Sequence, residues 1–263
     1  MSFAQNAAPA IEFQNVAKHF RIHHEAKSSL QDMFVGMFRG RGSYEEFWAL
    51  QDVSFRLEKG QTLGLIGTNG AGKSTILKLV TRIIEPTKGR IRVNGRVSAM
   101  LELGTGFHPD LSGRDNIFLN GAIYGFSKRQ MEERYERIVE FSELGRFIDT
   151  PVKHYSSGMY MRLGFATAIT VDPDIMIIDE VLAVGDAAFS RKCYAELEKM
   201  KEQGKSLLFV SHDAREVARF CDEVIYLEKG QIVAKGKPQE VLDDYMLKTM
   251  GVPFYIPNAV PAQ

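Results

Sequence analysis

Cysteine is nearly absent from this chain: 263 residues carry two, Cys193 and Cys221. Two are too few for a disulfide framework, and neither has a metal-ligand partner at close spacing. The expected state is two reduced thiols in a reducing compartment. Net charge is absent as well. Lys and Arg number 33, and so do Asp and Glu, so no global field draws the protein to nucleic acid or to an anionic surface. No run approaches about 18 consecutive apolar residues, so no segment is expected to span a bilayer. Met1 to Ala10 has neither a basic start nor an apolar centre and is not expected to be a secretory signal. There is no internal repeat. What remains reads as a soluble chain of ordinary hydrophobic (44%) and charged (25%) content. It is long enough for one large domain, or one domain with a lobe. Any membrane role would need a separate partner chain.

The most informative segment that is present runs from Gly67 through Thr68, Asn69, Gly70, Ala71, Gly72, Lys73 and Ser74 to Thr75. It fits G-x-x-x-x-G-K-[ST] at every fixed position. Leu63-Gly64-Leu65-Ile66 before it reads as a buried strand. Ile76, Leu77, Leu79 and Val80 after it recur at helical spacing. A strand, a glycine turn and a helix start together make an anion site, because backbone N–H groups point inward and the helix N-terminus adds positive potential. Lys73 can reach the β- and γ-phosphates, and Ser74 can offer its hydroxyl to Mg2+.

Along the chain, Ile11 to Val16 and Ala49 to Leu57 read as strands joined by a long connection, Arg21 to Phe47. Lys88 to Val97 reads as further strand around the turn Asn94-Gly95. Residues 112 to 170 look mostly helical, a lobe inserted into an α/β core. Strands at Asp174 to Ile178, Ser206 to Val210 and Glu223 to Leu227 alternate with helices at Ser190 to Gln203 and Asp213 to Phe220. That alternation argues for a mostly parallel sheet. A last helix is expected over Pro238 to Lys248, and the tail from Gly251 carries three prolines. In the long connection, Leu30, Met33, Phe34, Met37 and Phe38 form one apolar helical stripe flanked by Lys27, Arg39 and Arg41. Such a stripe packs on its own domain, on a partner protein, or on a lipid interface.

Three further segments carry chemistry. Asp179 and Glu180 follow the apolar run Ile175-Met176-Ile177-Ile178. A strand would deliver both carboxylates at its C-terminal end, where Asp179 can hold Mg2+ and Glu180 can polarise an attacking water. They could equally cap the next helix. His212 ends the strand Phe209-Val210-Ser211, either as a surface residue or within reach of a γ-phosphate. Tyr155-Ser156-Ser157-Gly158-Met159 opens a helix, as a simple cap or as a second anion site.

The order of these motifs resembles the nucleotide-binding subunit of ABC transporters over nearly the whole chain. That family's fold is an α/β ATPase core with a mostly parallel sheet, an antiparallel β portion and an inserted helical lobe. The resemblance implies a nucleotide-binding domain over residues 1–250, with the lobe near 110–170, an inserted segment near 21–47 and an extended tail over 251–263. It implies ATP and Mg2+ as ligands, with Ser74 and Asp179 toward the metal. It also implies Glu180 and His212 as catalytic residues, Asp186 in the D-loop and Phe20 stacked on adenine, with His19 and Trp48 as lesser candidates. Ser156, Ser157 and Gly158 stand in the signature, which acts in trans across a homodimer. Ser157 replaces its first glycine and Met159 its glutamine, while the phosphate-contacting positions Ser156 and Gly158 are kept. The Q-loop glutamine is absent. Ungapped alignment puts Leu103 there, and a shift of one residue puts Glu102, which is favoured because an oxygen is needed near Mg2+ or its water.

The departures, with Leu101 to Pro109, Asp179 to Asp186 and Phe47-Trp48-Ala49-Leu50, are similar to the ATPases of bacterial polysaccharide exporters. That group serves O-antigen, capsule and teichoic acid. It implies two copies of a permease, a lipid-linked polysaccharide as cargo, no nucleic acid, and a peripheral position on the cytoplasmic face of the inner membrane. The sequence stops soon after its last helix, so the carbohydrate-binding domain that some O-antigen members carry is expected to be missing from it, either naturally or by truncation.

Overall fold

The computed structural model describes residues 8–23, 44–100, 106–179, 186–211 and 213–254. Its strands are β1 (Ile11–His23), β2 (Tyr44–Leu57), β3 (Thr62–Ile66), β4 (Lys88–Val93), β5 (Val97–Ala99), β6 (Ile175–Ile178), β7 (Ser206–Val210), β8 (Glu223–Glu228) and β9 (Gln231–Gly236). Its helices are α1 (Lys73–Val80), α2 (Gly113–Ile123), α3 (Lys128–Ser142), α4 (Ser157–Thr170), α5 (Ala187–Glu202), α6 (Ala214–Phe220) and α7 (Pro238–Met250).

Two sheets form the core. One has three strands in the order β2-β1-β4, and the other six in the order β5-β6-β7-β3-β8-β9. In the larger sheet β5, β6, β7, β3 and β8 pair in parallel, and β9 is antiparallel to β8. The small sheet is antiparallel. Side chains alternate across β6. Ile175 and Ile177 join the core between the two sheets, together with Leu208, Val210 and α1. Met176 and Ile178 face the helices, together with Leu207 and Phe209. Burial on both faces is why these strands read as unbroken apolar runs.

The lobe is α2, α3 and α4. Ser112 caps α2 by accepting from the Asp115 N–H, and Ser127 with Gln130 forms a capping box at the start of α3. Its helices pack on Phe141, Phe165 and Ile138, which belong to the same core as the helix-facing side of the large sheet.

The structure departs from the sequence reading in three places. β4 and β5 do not form a hairpin around Asn94-Gly95: β4 pairs with β1 and β5 with β6, in different sheets. β1 and β2 are longer than expected and take up both ends of the connection drawn at 21–47. Positive φ at Asn15 (48°) and Asp52 (52°) lets the paired strands bulge and continue. β9, unassigned from sequence, is an edge strand whose side chains alternate between exposed and half-buried. Both cysteines are free and buried. Among the described residues no helix is long and apolar enough to cross a membrane. The stripe from Leu30 to Phe38 and most of the tail lie outside the described residues.

Ile177 is fully buried on a strand paired on both sides. Ile177→Ala should cost about 2–5 kcal/mol through lost burial and a residual cavity. In a thermal scan the midpoint should fall by roughly 5–15 °C; an unchanged midpoint would mean that β6 is not packed on both faces.

Candidate functional site

β3 ends at Ile66, the chain turns through residues 67–72, and α1 starts at Lys73. The turn lies against β8 and β2, which is why glycine is required. A β-carbon on Gly67 would stand 2.2 Å from the Leu227 carbonyl oxygen. Gly72 has φ 110°, and a β-carbon there would stand 2.8 Å from the Ala49 carbonyl oxygen. The loop is tied down where the Gly230 N–H donates to the Ala71 carbonyl at 2.9 Å. Lys73 is buried, and its Nζ donates to the Gly67 carbonyl at 2.6 Å and the Thr68 carbonyl at 3.2 Å. The ammonium is therefore held over the loop whose backbone would receive an anion.

The cleft at this loop has a volume of about 260 Å³. Besides Asn69 to Thr75 it is lined by Asp179, Phe47 and Ala49. Asp179 is there because β6 and β3 flank β7 in parallel, so their C-terminal ends emerge at one edge. Ser211 ends β7 at the same edge. A buried ammonium, a loop of backbone donors, the Ser74 hydroxyl and one carboxylate suit a nucleotide phosphate with Mg2+. That ion takes one or two protein oxygens and fills its shell from phosphate and water. Among the described residues no cluster of three His, Cys, Asp or Glu side chains could hold a metal unaided. Glu180, His212 and Glu102, expected as base, switch and Q-loop residues, lie outside the described residues.

Phe20 and Phe47 are cross-strand partners on β1 and β2, and both are exposed. Phe47 lines the cleft, whereas Phe20 lies with Lys18 Nζ 5.2 Å from its ring centre. His19 and Trp48 meet edge to face at 5.1 Å. Sequence reading singled out Phe20 and used Phe47 only as a subfamily mark. Which of two neighbouring aromatics turns to the loop depends on strand register and bulges.

Ser156 caps α4, its Oγ accepting from the Met159 N–H at 3.2 Å. Ser156 and Ser157 are exposed, and neither they nor Gly158 line the cleft. Tyr155 anchors this helix start. Its hydroxyl, pushed up to about 12 chiefly by burial, donates to the Phe147 carbonyl at 2.8 Å. Asp186 caps α5, with Oδ1 accepting from the Ala188 and Phe189 N–H groups at 2.9 Å each. Those bonds, the Phe189 one first, together with Arg162 hold its carboxyl below the ordinary aspartate value. Arg162 of α4 pairs with Asp186 at 2.7 Å and with Glu143 at 2.7 Å, and Lys192 meets Glu143 at 3.0 Å. This node binds the lobe to α5. Sequence reading missed it because Glu143 and Asp186 lie 19 and 24 residues from Arg162, outside any helical spacing.

A phosphate loop on a buried parallel strand, with a carboxylate on a near neighbour and a helical lobe between them in sequence, defines a P-loop nucleotide-binding protein. Residues 50–183 match the family described as ABC transporter. The O-antigen export system ATP-binding protein RfbB of Klebsiella pneumoniae is 45% identical over 90% of this chain and 97% of its own length. ABC transporter protein AbcA of Aeromonas salmonicida is 46% identical, over 90% of this chain and 76% of its own. The teichoic acids export ATP-binding protein TagH of Bacillus cereus is 39% identical, over 89% and 42%. The solved structure of an ATP-binding subunit of an ABC transporter has the same fold, with a TM-score of 0.72 at 23% identity over 91% of this chain and 95% of that one. A dimeric ATP-binding cassette bound to ADP and Pi gives 0.70 at 22% identity over 87% and 98%. The chain belongs to the ABC transporter family and is one of its ATP-hydrolysing subunits.

Gly67→Ala should displace the loop from Leu227. Backbone strain of about 1–3 kcal/mol corresponds to roughly 5- to 150-fold weaker ATP binding, measurable by calorimetry. Undiminished affinity would count against the role of this close approach.

Proposed function

We propose that the protein is the ATPase of an exporter that moves a lipid-linked polysaccharide, O-antigen in preference to teichoic acid or capsule, across the inner membrane. The observation that carries this reading is the 45% identity to an O-antigen export ATP-binding protein along almost its full length, against 39% to a teichoic acid exporter's subunit. The path for the glycan is a separate permease, two copies of which sit on a homodimer of this chain. The protein is peripheral, on the cytoplasmic face, and has no nucleic-acid partner.

In this reading Gly67 to Thr75 cradle the triphosphate and Lys73 neutralises its β- and γ-oxygens. Ser74 and Asp179 would hold Mg2+, which would supply positive charge against the charge developing on the phosphates. Glu180 orients or deprotonates the attacking water, and His212 contacts the γ-phosphate. Phe20 stacks on the adenine, with Phe47 as the neighbouring aromatic wall of the cleft. Glu102 stands in the Q-loop. Ser156, Ser157 and Gly158 complete the site of the partner subunit, and Asp186 stands at the same interface. The exposed start of α4 supports that arrangement: Ser156 and Ser157 do not line the cleft of their own chain, and a helix N-terminus suits an anion. ATP closes the dimer, closure moves the permease, and hydrolysis reopens it.

Glu180→Gln keeps shape and removes the carboxylate. Hydrolysis should fall by at least about 100-fold while ATP binding persists, so an ATP-dependent dimer should accumulate on gel filtration. Adding Ser156→Arg should remove that dimer. Normal turnover by Glu180→Gln would unseat its assignment, and a dimer indifferent to Ser156→Arg would unseat the shared site.

For the cargo, cells lacking the gene should be undecorated, with lipid-linked glycan retained on the cytoplasmic leaflet. Normal surface glycan, with a small solute or a protein retained instead, would overturn the substrate and leave the ATPase in place.

A further inference from the structure

Next to the C-terminal end of β7 lies a continuous chain of hydrogen bonds. Tyr194, on α5, donates its hydroxyl to Oε1 of Glu216, on α6. The other oxygen, Oε2, accepts from Ser211 Oγ at 3.2 Å. That same Oγ accepts from the Asp213 N–H at 3.0 Å. Ser211 and Asp213 are the residues on either side of His212, and Ser211 is 3% exposed. The Tyr194 ring is fixed independently, stacked on Phe220 with centroids 5.1 Å apart. Phe220 stacks in turn on Phe209 of β7 at 5.8 Å. Burial first, then the Glu216 carboxylate, push the Tyr194 hydroxyl well above the usual tyrosine value, so it stays a donor.

We propose that Tyr194, Glu216 and Ser211 are positioning residues for His212. They pin the backbone on both sides of it to α5, the helix that Asp186 caps. A half-buried carboxylate is a poor way merely to hold two helices together, since apolar side chains of the same size would do so without desolvation. What the carboxylate adds is direction: it fixes the Ser211 hydroxyl in one rotamer, and that hydroxyl fixes the Asp213 amide. The α5 end of the chain is tied to the signature-bearing α4 through Asp186 and Arg162. The residue expected at one γ-phosphate is thereby referenced to the helix whose start serves the other.

This inference rests on the assignment of His212 to the γ-phosphate, and the experiment separates the two. Tyr194→Phe keeps the ring and its stacking and removes the hydroxyl. In the purified full chain, kcat for ATP hydrolysis should fall about tenfold, the scale of one hydrogen bond lost from a charged acceptor. KM and the Kd for ATP should stay unchanged. Combining Tyr194→Phe with Glu216→Gln should be no worse than the weaker single variant, as for members of one network. In a His212→Ala background, Tyr194→Phe should change nothing further. If Tyr194→Phe lowers only the melting temperature while His212→Ala abolishes turnover, the positioning role is overturned and the His212 role stands. If His212→Ala turns over normally, the His212 assignment fails and the positioning role with it.

Discussion

Parallel pairing governs everything else here. Parallel strands are joined by crossovers that bring the chain back to the same starting edge, so their C-terminal ends emerge side by side. β6, β7 and β3 are consecutive in the large sheet, with Ile178 opposite Phe209 and Leu65 opposite Val210. The residues next along each strand are Asp179, Ser211 and the phosphate loop. The phosphate loop thus shares one edge with segments more than a hundred residues further along the sequence. Burial on both faces makes that edge rigid.

The lobe is attached by different forces. α2, α3 and α4 share the helix-facing core of the sheet, and the Arg162–Asp186–Glu143–Lys192 node fastens them to α5. These pairs are partly exposed. Their value lies less in net stability than in fixing how the start of α4 sits relative to the sheet. Arg162 also lies over the Phe189 ring at 4.7 Å, which fixes its guanidinium plane.

Local motifs were legible because their chemistry is local. The phosphate loop announces itself in consecutive residues, since a tight turn against neighbouring backbone needs glycine at fixed places. Asp179 was legible because a buried strand must end before an acid. The cap at Ser156 was visible as a small polar residue before a helical pattern. The pairing of β4 and β5 was not, because Asn94-Gly95 has the composition of a hairpin turn and only the tertiary fold sends its two sides to different sheets. β9 was hidden because an edge strand buries only alternate side chains, and Gln231 to Gly236 lacks a continuous apolar run.

By itself the sequence determined the class of the protein: strand, loop and helix around a phosphate, the acids after a buried strand, and the order in which lobe and sheet alternate. These follow from hydrophobic periodicity and from the conformations that glycine alone adopts. Only the tertiary structure showed that Phe47, the cross-strand partner of Phe20, lines the cleft. It alone revealed that Asp186 is both a helix cap and the partner of Arg162, and that Tyr194 reaches Ser211 through Glu216. Contacts of that kind depend on strand register and helix rotation. Many interactions across the whole chain set those jointly, and no short stretch of residues encodes them.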